Sequence, residues 1–110
     1  MHMKLTIPLI CLALLAAATG RLQAQEEGDL RKGRVLARDV CAACHAIDKG
    51  RPSPNADAPT FEAIASSPGM SGRALGVALR RAHRTMPNFV IEGDELTNII
   101  VYILSLKSRD

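Results

Sequence analysis

Five residues, Cys41-Ala42-Ala43-Cys44-His45, limit what this chain can become more than any other stretch. Two thiols three positions apart, followed at once by an imidazole, make the C-x-x-C-H pattern of covalent haem attachment. Each thiol can add to a porphyrin vinyl group as a thioether, and the imidazole can ligate the iron from one face, which makes His45 the candidate proximal ligand. Two other chemistries use a close cysteine pair. A redox-active C-x-x-C belongs near a βαβ pattern, and no convincing strand run occurs here. A structural zinc site normally takes four ligands; beyond the leader described next, only Cys41, Cys44, His45 and His83 are on offer.

Residues 1–24 read as a secretory leader. Lys4 supplies the early positive charge, Leu5 to Ala18 is an apolar run broken only by Thr6 and Pro8, and Leu22-Gln23-Ala24 ends in a small residue suited to cleavage. Cleavage after Gly20 is a second option. The run is shorter than the roughly 20 apolar residues of a spanning helix, so it reads as a leader rather than an anchor. Ile10 stands where a lipoprotein box before Cys11 would need a small residue, and Cys11 is expected to leave with the leader.

One domain over residues 25–110 remains. Without Lys4 and Arg21 the chain carries 12 basic against 11 acidic residues. That near balance argues against a nucleic-acid interface, which needs a concentrated basic surface. About 86 residues also form a core of marginal stability, and Phe61, Phe89 and Tyr102 are the only aromatic side chains. A large flat apolar group at the centre would supply what these side chains do not.

The periodicity predicts an all-α chain. From Asp29 to Val40, Leu30, Val35, Leu36 and Val40 fall mainly on one side of a helix that delivers the cysteines. Gly33 interrupts it at a cost of about 1 kcal/mol relative to Ala; it is either merely tolerated or compensated by a close helix crossing. Residues 46–58 hold Gly50, Pro52, Pro54 and Asn55 and predict a loop. A short helix over 60–67 should stop at Pro68-Gly69. Ser71 is placed to cap the next, which runs to about Arg84 with Leu75, Ala78, Leu79 and Ala82 as its buried stripe. Arg73, Arg80, Arg81 and Arg84 cover the rest of that helix, either as a solvated face or as a ridge that steers an acidic partner. The last helix starts near Gly93, with Asp94 and Glu95 favouring its dipole, and carries Leu96, Ile99, Ile100, Ile103, Leu104 and Leu106.

The attachment motif, the Ala58-Pro59-Thr60-Phe61 stretch 14 residues after His45 and the Thr85-Met86-Pro87 stretch 41 residues after it together resemble the class I c-type cytochromes. The resemblance implies a cytochrome c-like fold: short helices and loops wrapped around one covalent haem c, with the N- and C-terminal helices crossing. It implies that Cys41 and Cys44 carry the thioethers and that His45 binds the iron. Pro59 is then the residue whose carbonyl accepts the imidazole N–H and orients His45; its plainer role is loop punctuation. Met86 becomes the distal iron ligand, with Met70 and His83 as competitors and a simple core methionine as the other reading. Gly33 falls where the family's terminal helices cross, Tyr102 matches the aromatic residue there, and Ala37 replaces a usually larger apolar residue.

These expectations describe a periplasmic one-electron carrier rather than an enzyme, shuttling between ferric and ferrous iron with His/Met ligation. Its partners would be redox proteins such as a periplasmic dehydrogenase or a membrane oxidase or reductase. Arg51 and Asn88 are candidates for the propionates. The alternatives are an electron-accepting subunit of one periplasmic dehydrogenase, or a haem enzyme or gas sensor whose distal ligand is displaceable.

Overall fold

Regular structure is helical throughout residues 28–81 and 85–109, the residues described by the computed structural model, and no strand occurs among them. The all-α expectation holds. The leader, Cys11, Ala82, His83 and Arg84 lie outside the described residues.

Helix α1, Leu30–Leu36, begins at Asp29, whose carboxylate accepts the Arg31 and Lys32 amide N–H groups at 2.8 and 3.1 Å. It does not run on as an α-helix to Val40 as its pattern suggested. Ala37–Cys41 is π-helical, closed by the Ala42 N–H donating to the Ala37 carbonyl at 3.0 Å. The change of winding decides which residues face inward. Every fourth residue of an α-helix overshoots a full turn by about 40°, whereas in the wider π turn, bonded five residues back, the fourth residue falls short of a full turn and offsets that overshoot. Gly33, Ala37 and Cys41 therefore form one buried line.

That line corrects the large apolar face expected for this helix. Leu36 and Val40 pack against the core from its edge, but Leu30 and Val35 are 50% and 46% exposed. Small residues won because the neighbouring helix comes too close for large ones. Helix α4, Gly93–Ser105, crosses at Gly33, where a methyl group would overlap the Asn98 carbonyl oxygen and stand 2.8 Å from Tyr102 Cβ. Gly28 makes a second close approach, 2.7 Å from the Thr97 carbonyl oxygen by the same measure. The Asp29 N–H donates to Asn98 Oδ1 at 2.7 Å and pins the start of α1 to α4.

Two short helices complete the structure. Helix α2, Phe61–Ser66, is capped by Thr60, whose hydroxyl accepts the Ala63 N–H at 3.0 Å. It ends before Pro68-Gly69, where Gly69 takes a φ of +73° that other residues rarely adopt. Helix α3, Gly72–Leu79, is capped by Ser71, whose hydroxyl accepts the Ala74 N–H at 3.1 Å. It ends at Leu79, short of the Arg84 boundary expected. Gly72 and Gly76, one turn apart, bring its backbone down onto Ile100 and Leu104 of α4.

Helix α4 is thus the axis on which the other three pack. Ile99 and Ile103 are fully buried, joined by Leu96 and Tyr102 from the same helix, Phe61 and Ala65 from α2, Leu75 from α3, Ile91, and Ala37 and Cys41. Cys41 belongs to both this core and the attachment motif. No helix among the described residues is long and apolar enough to cross a membrane.

Candidate functional site

The π-helical segment ends on Cys41, and the backbone reverses there. The Cys41 carbonyl accepts two N–H groups, from Cys44 at 3.1 Å and His45 at 3.0 Å, so both cysteines and the histidine sit on a single tight turn. Both thiols are unpaired. Cys41 is buried and Cys44 half-buried; burial pushes the Cys41 thiol up to about 11, keeping it protonated at neutral pH. A redox-active cysteine pair shows the opposite, a lowered pKa on an accessible thiol.

Residues 46–60 then fold back onto this turn. The Asn55 N–H donates to the Cys44 carbonyl at 3.1 Å, the Ala46 N–H to Ser53 Oγ at 3.0 Å, and the Phe61 N–H to the Ala46 carbonyl at 3.0 Å. The last of these holds the start of α2 against the residue that follows His45. It brings Pro59 within reach of the imidazole: His45 Nδ1 and the Pro59 carbonyl oxygen are 2.6 Å apart. A carbonyl only accepts, so Nδ1 carries the proton, and in the neutral ring Nε2 keeps its lone pair. The Phe61 ring lies 5.5 Å from the imidazole, tilted by 44°, and limits rotation on that side.

The loop is held from outside by contacts that the periodicity gave no sign of. Tyr102 Oη donates to the Ile47 carbonyl at 2.8 Å and lies 3.1 Å from Asp48 Oδ1. Asp48 pairs in turn with Arg34 of α1 at 3.3 Å. The Tyr102 hydroxyl and the Asp48 carboxylate hold the Arg34 guanidinium above its ordinary value. Further along, Glu62 accepts the Gly50 N–H and the Ser108 hydroxyl, each at 3.0 Å. The Gly50 N–H, with the Ser108 hydroxyl second, keeps the Glu62 carboxyl below its ordinary value. Lys49 Nζ donates to the Lys107 carbonyl at 3.2 Å, so the chain's last turn closes over the same loop.

Of the residues singled out from the sequence, Cys41, Cys44, His45 and Pro59 are brought together with Phe61. Met86 lies half-buried in a bend between α3 and α4, before a turn in which the Phe89 N–H donates to the Pro87 carbonyl at 3.1 Å. Met70 packs against the core edge. Arg51 and Asn88 are exposed, as are Arg73, Arg80 and Arg81. Val77, Phe89 and Val90 are large apolar side chains left 44%, 38% and 79% exposed.

The donor set suits a tethered porphyrin iron better than a bare metal ion. Among the described residues no group of three or more His, Cys, Asp or Glu side chains could hold a metal, whereas one lone-pair-bearing imidazole nitrogen beside two free thiols is what a covalently attached haem takes from one side. No family model matches the chain, and no curated protein and no solved structure matches it.

Proposed function

We propose that this chain is a small periplasmic monohaem c-type cytochrome, exported by a cleaved leader, that carries single electrons between redox proteins. Cys41 and Cys44 would hold haem c covalently, and His45 Nε2 and the Met86 thioether would bind its iron. The observation that carries the reading is the 2.6 Å bond from His45 Nδ1 to the Pro59 carbonyl, beside two unpaired cysteines on the same turn. When bound, the haem would supply a one-electron couple between ferric and ferrous iron.

The chain's own residues account for the rest. Pro59 holds the Nδ1 proton, which leaves Nε2 as the donor and makes the ring more basic, as outer-shell partners of ligating histidines do. Phe61 limits the ring's rotation. A methionine sulfur is a soft donor suited to both oxidation states, and Pro87 stiffens the bend that presents it. With both His45 and Met86 bound to the iron, water would have no easy coordination position, which would favour a carrier over a catalyst. Phe89 and Val90, exposed in the segment that follows Met86, are apolar side chains that a haem held there would help to cover.

The test is the absorption spectrum of the purified, export-processed protein, with and without carbon monoxide. A low-spin haem in both oxidation states, unchanged by carbon monoxide at neutral pH, supports the carrier. A ferrous protein that binds carbon monoxide tightly points to an open distal site and overturns the proposed ligation.

A further inference from the structure

We infer that Tyr102 is a positioning residue for His45, acting across the fold from the last helix through the backbone carbonyl of Ile47. The inference rests on the proposal that His45 ligates iron, but its structural content does not. Two residues beyond His45 the chain must leave the attachment turn and enter the loop that returns to Pro59. At that point the Ile47 carbonyl accepts the Tyr102 hydroxyl at 2.8 Å, closer than the 3.1 Å from the same hydroxyl to Asp48 Oδ1. A phenol has one proton to donate, so the carbonyl takes the main bond and the Asp48 carboxylate the lesser share.

The backbone on either side is held as well. Ala46, immediately after His45, donates to Ser53 Oγ and accepts from the Phe61 N–H, both at 3.0 Å. Ala46 and Ile47 thus form a short rigid bridge with the imidazole and its Pro59 acceptor at one end and Tyr102 at the other. Tyr102 is itself buried at the crossing, with its Cβ against Gly33 of α1. Its ring cannot shift unless helices α1 and α4 shift with it. The crossing therefore sets the position of the Ile47 carbonyl, and through it the aim of the His45 ring at the Pro59 oxygen. A tyrosine needed only to fill the crossing would not require its hydroxyl.

The test is deuterium exchange of the His45 Nδ1 proton, followed by nuclear magnetic resonance on the full processed protein as purified. In Tyr102→Phe, which keeps the ring and removes the hydroxyl, this proton should exchange about tenfold faster, the loss expected of one hydrogen bond. The Gly33 and Ile99 amides should keep their wild-type rates. An unchanged His45 rate overturns the inference. So does equal acceleration at all three positions, which would mark a merely structural role. Asp48→Ala retains the Ile47 bond and should leave the His45 rate within about twofold of wild type; a tenfold increase there would move the effect to the carboxylate and overturn the assignment. Because Tyr102 is the chain's one tyrosine, 3-fluorotyrosine labelling gives a stronger donor in the native shape. It should slow the exchange, and no change would count against the inference. Absence of haem from the purified protein would defeat the proposed function while leaving these exchange outcomes readable.

Discussion

Replacing Gly33 by Ala puts the helix crossing under direct load. The new Cβ would overlap the Asn98 carbonyl oxygen and stand 2.8 Å from both the Asn98 carbonyl carbon and Tyr102 Cβ, where ordinary contact begins at about 3.4 Å. Its main obstacle is backbone, which cannot rotate away as a side-chain tip can. Helices α1 and α4 must separate, and Ala37, Ile99 and Tyr102 lose contacts together. Overpacking of this kind costs about 3 kcal/mol at the upper end of its usual range, and Ala returns about 1 kcal/mol of helix propensity. The net loss is about 2 kcal/mol. In a domain this small that lowers Tm by roughly 8–16 °C. The paired control is Gly76→Ala, where the nearest atom is the flexible Ile100 Cδ1 at 3.4 Å; there propensity should dominate and Tm should hold or rise. Thermal unfolding followed by circular dichroism on both variants decides the matter. Equal shifts in the two, or a Gly33→Ala protein that melts like wild type, would refute the close-crossing argument.

Three further outcomes are expected. Met86→Ala should open the sixth coordination position, so that the ferrous protein binds carbon monoxide and its reduction potential falls; an unchanged low-spin spectrum and potential would remove Met86 as a ligand. Replacing Cys41 and Cys44 together by Ala should leave any bound haem extractable by acid acetone, and haem that stays with the protein would contradict attachment through these thiols. Glu62→Gln should lower Tm at neutral pH. The folded-state Glu62 carboxyl lies below its ordinary value of 4.5, chiefly through the Gly50 N–H, so its stabilisation is complete above that value and is lost as pH falls through the lowered one. The Tm gap between wild type and variant should therefore close on acidification, and a gap that persists at pH 2 would contradict the carboxylate clamp.

Much of this architecture was legible because it depends on local chemistry. Ser71 before Gly72, Pro68-Gly69 after α2 and Gly93 at the head of α4 each carry a capping, stopping or turning preference in the residue itself. The conformational cost of Gly33 was readable for the same reason, since a helix tolerates it best where another backbone comes close. The inward line of α1 was not legible. Apolar size pointed to Leu30 and Val35, yet proximity to α4 selects small residues, and the π-helical turn that keeps Cys41 on the inward line leaves no periodic trace. Gly28, Gly72 and Gly76 escaped notice because a small residue's purpose lies in the partner it admits.

The neighbourhood of His45 divides in the same way. The spacing of Pro59 came from resemblance to a family, not from periodicity, and a carbonyl acceptor can be any residue's. The roles of Glu62, Ser53 and the Tyr102 hydroxyl depend on contacts made across the fold. Tyr102 and Ile47 lie 55 positions apart in the chain, beyond the reach of any local pattern.

Covalent attachment of haem at Cys41 and Cys44 can be read from the mass of the tryptic peptide spanning residues 39–49. The protein would be produced with its leader in a host that exports proteins and attaches haem outside the cytoplasm, then digested without reduction. Attachment at both thiols gives a peptide heavier by one haem whose two cysteines resist alkylation. A peptide of unmodified mass, with both thiols open to alkylation, would contradict it.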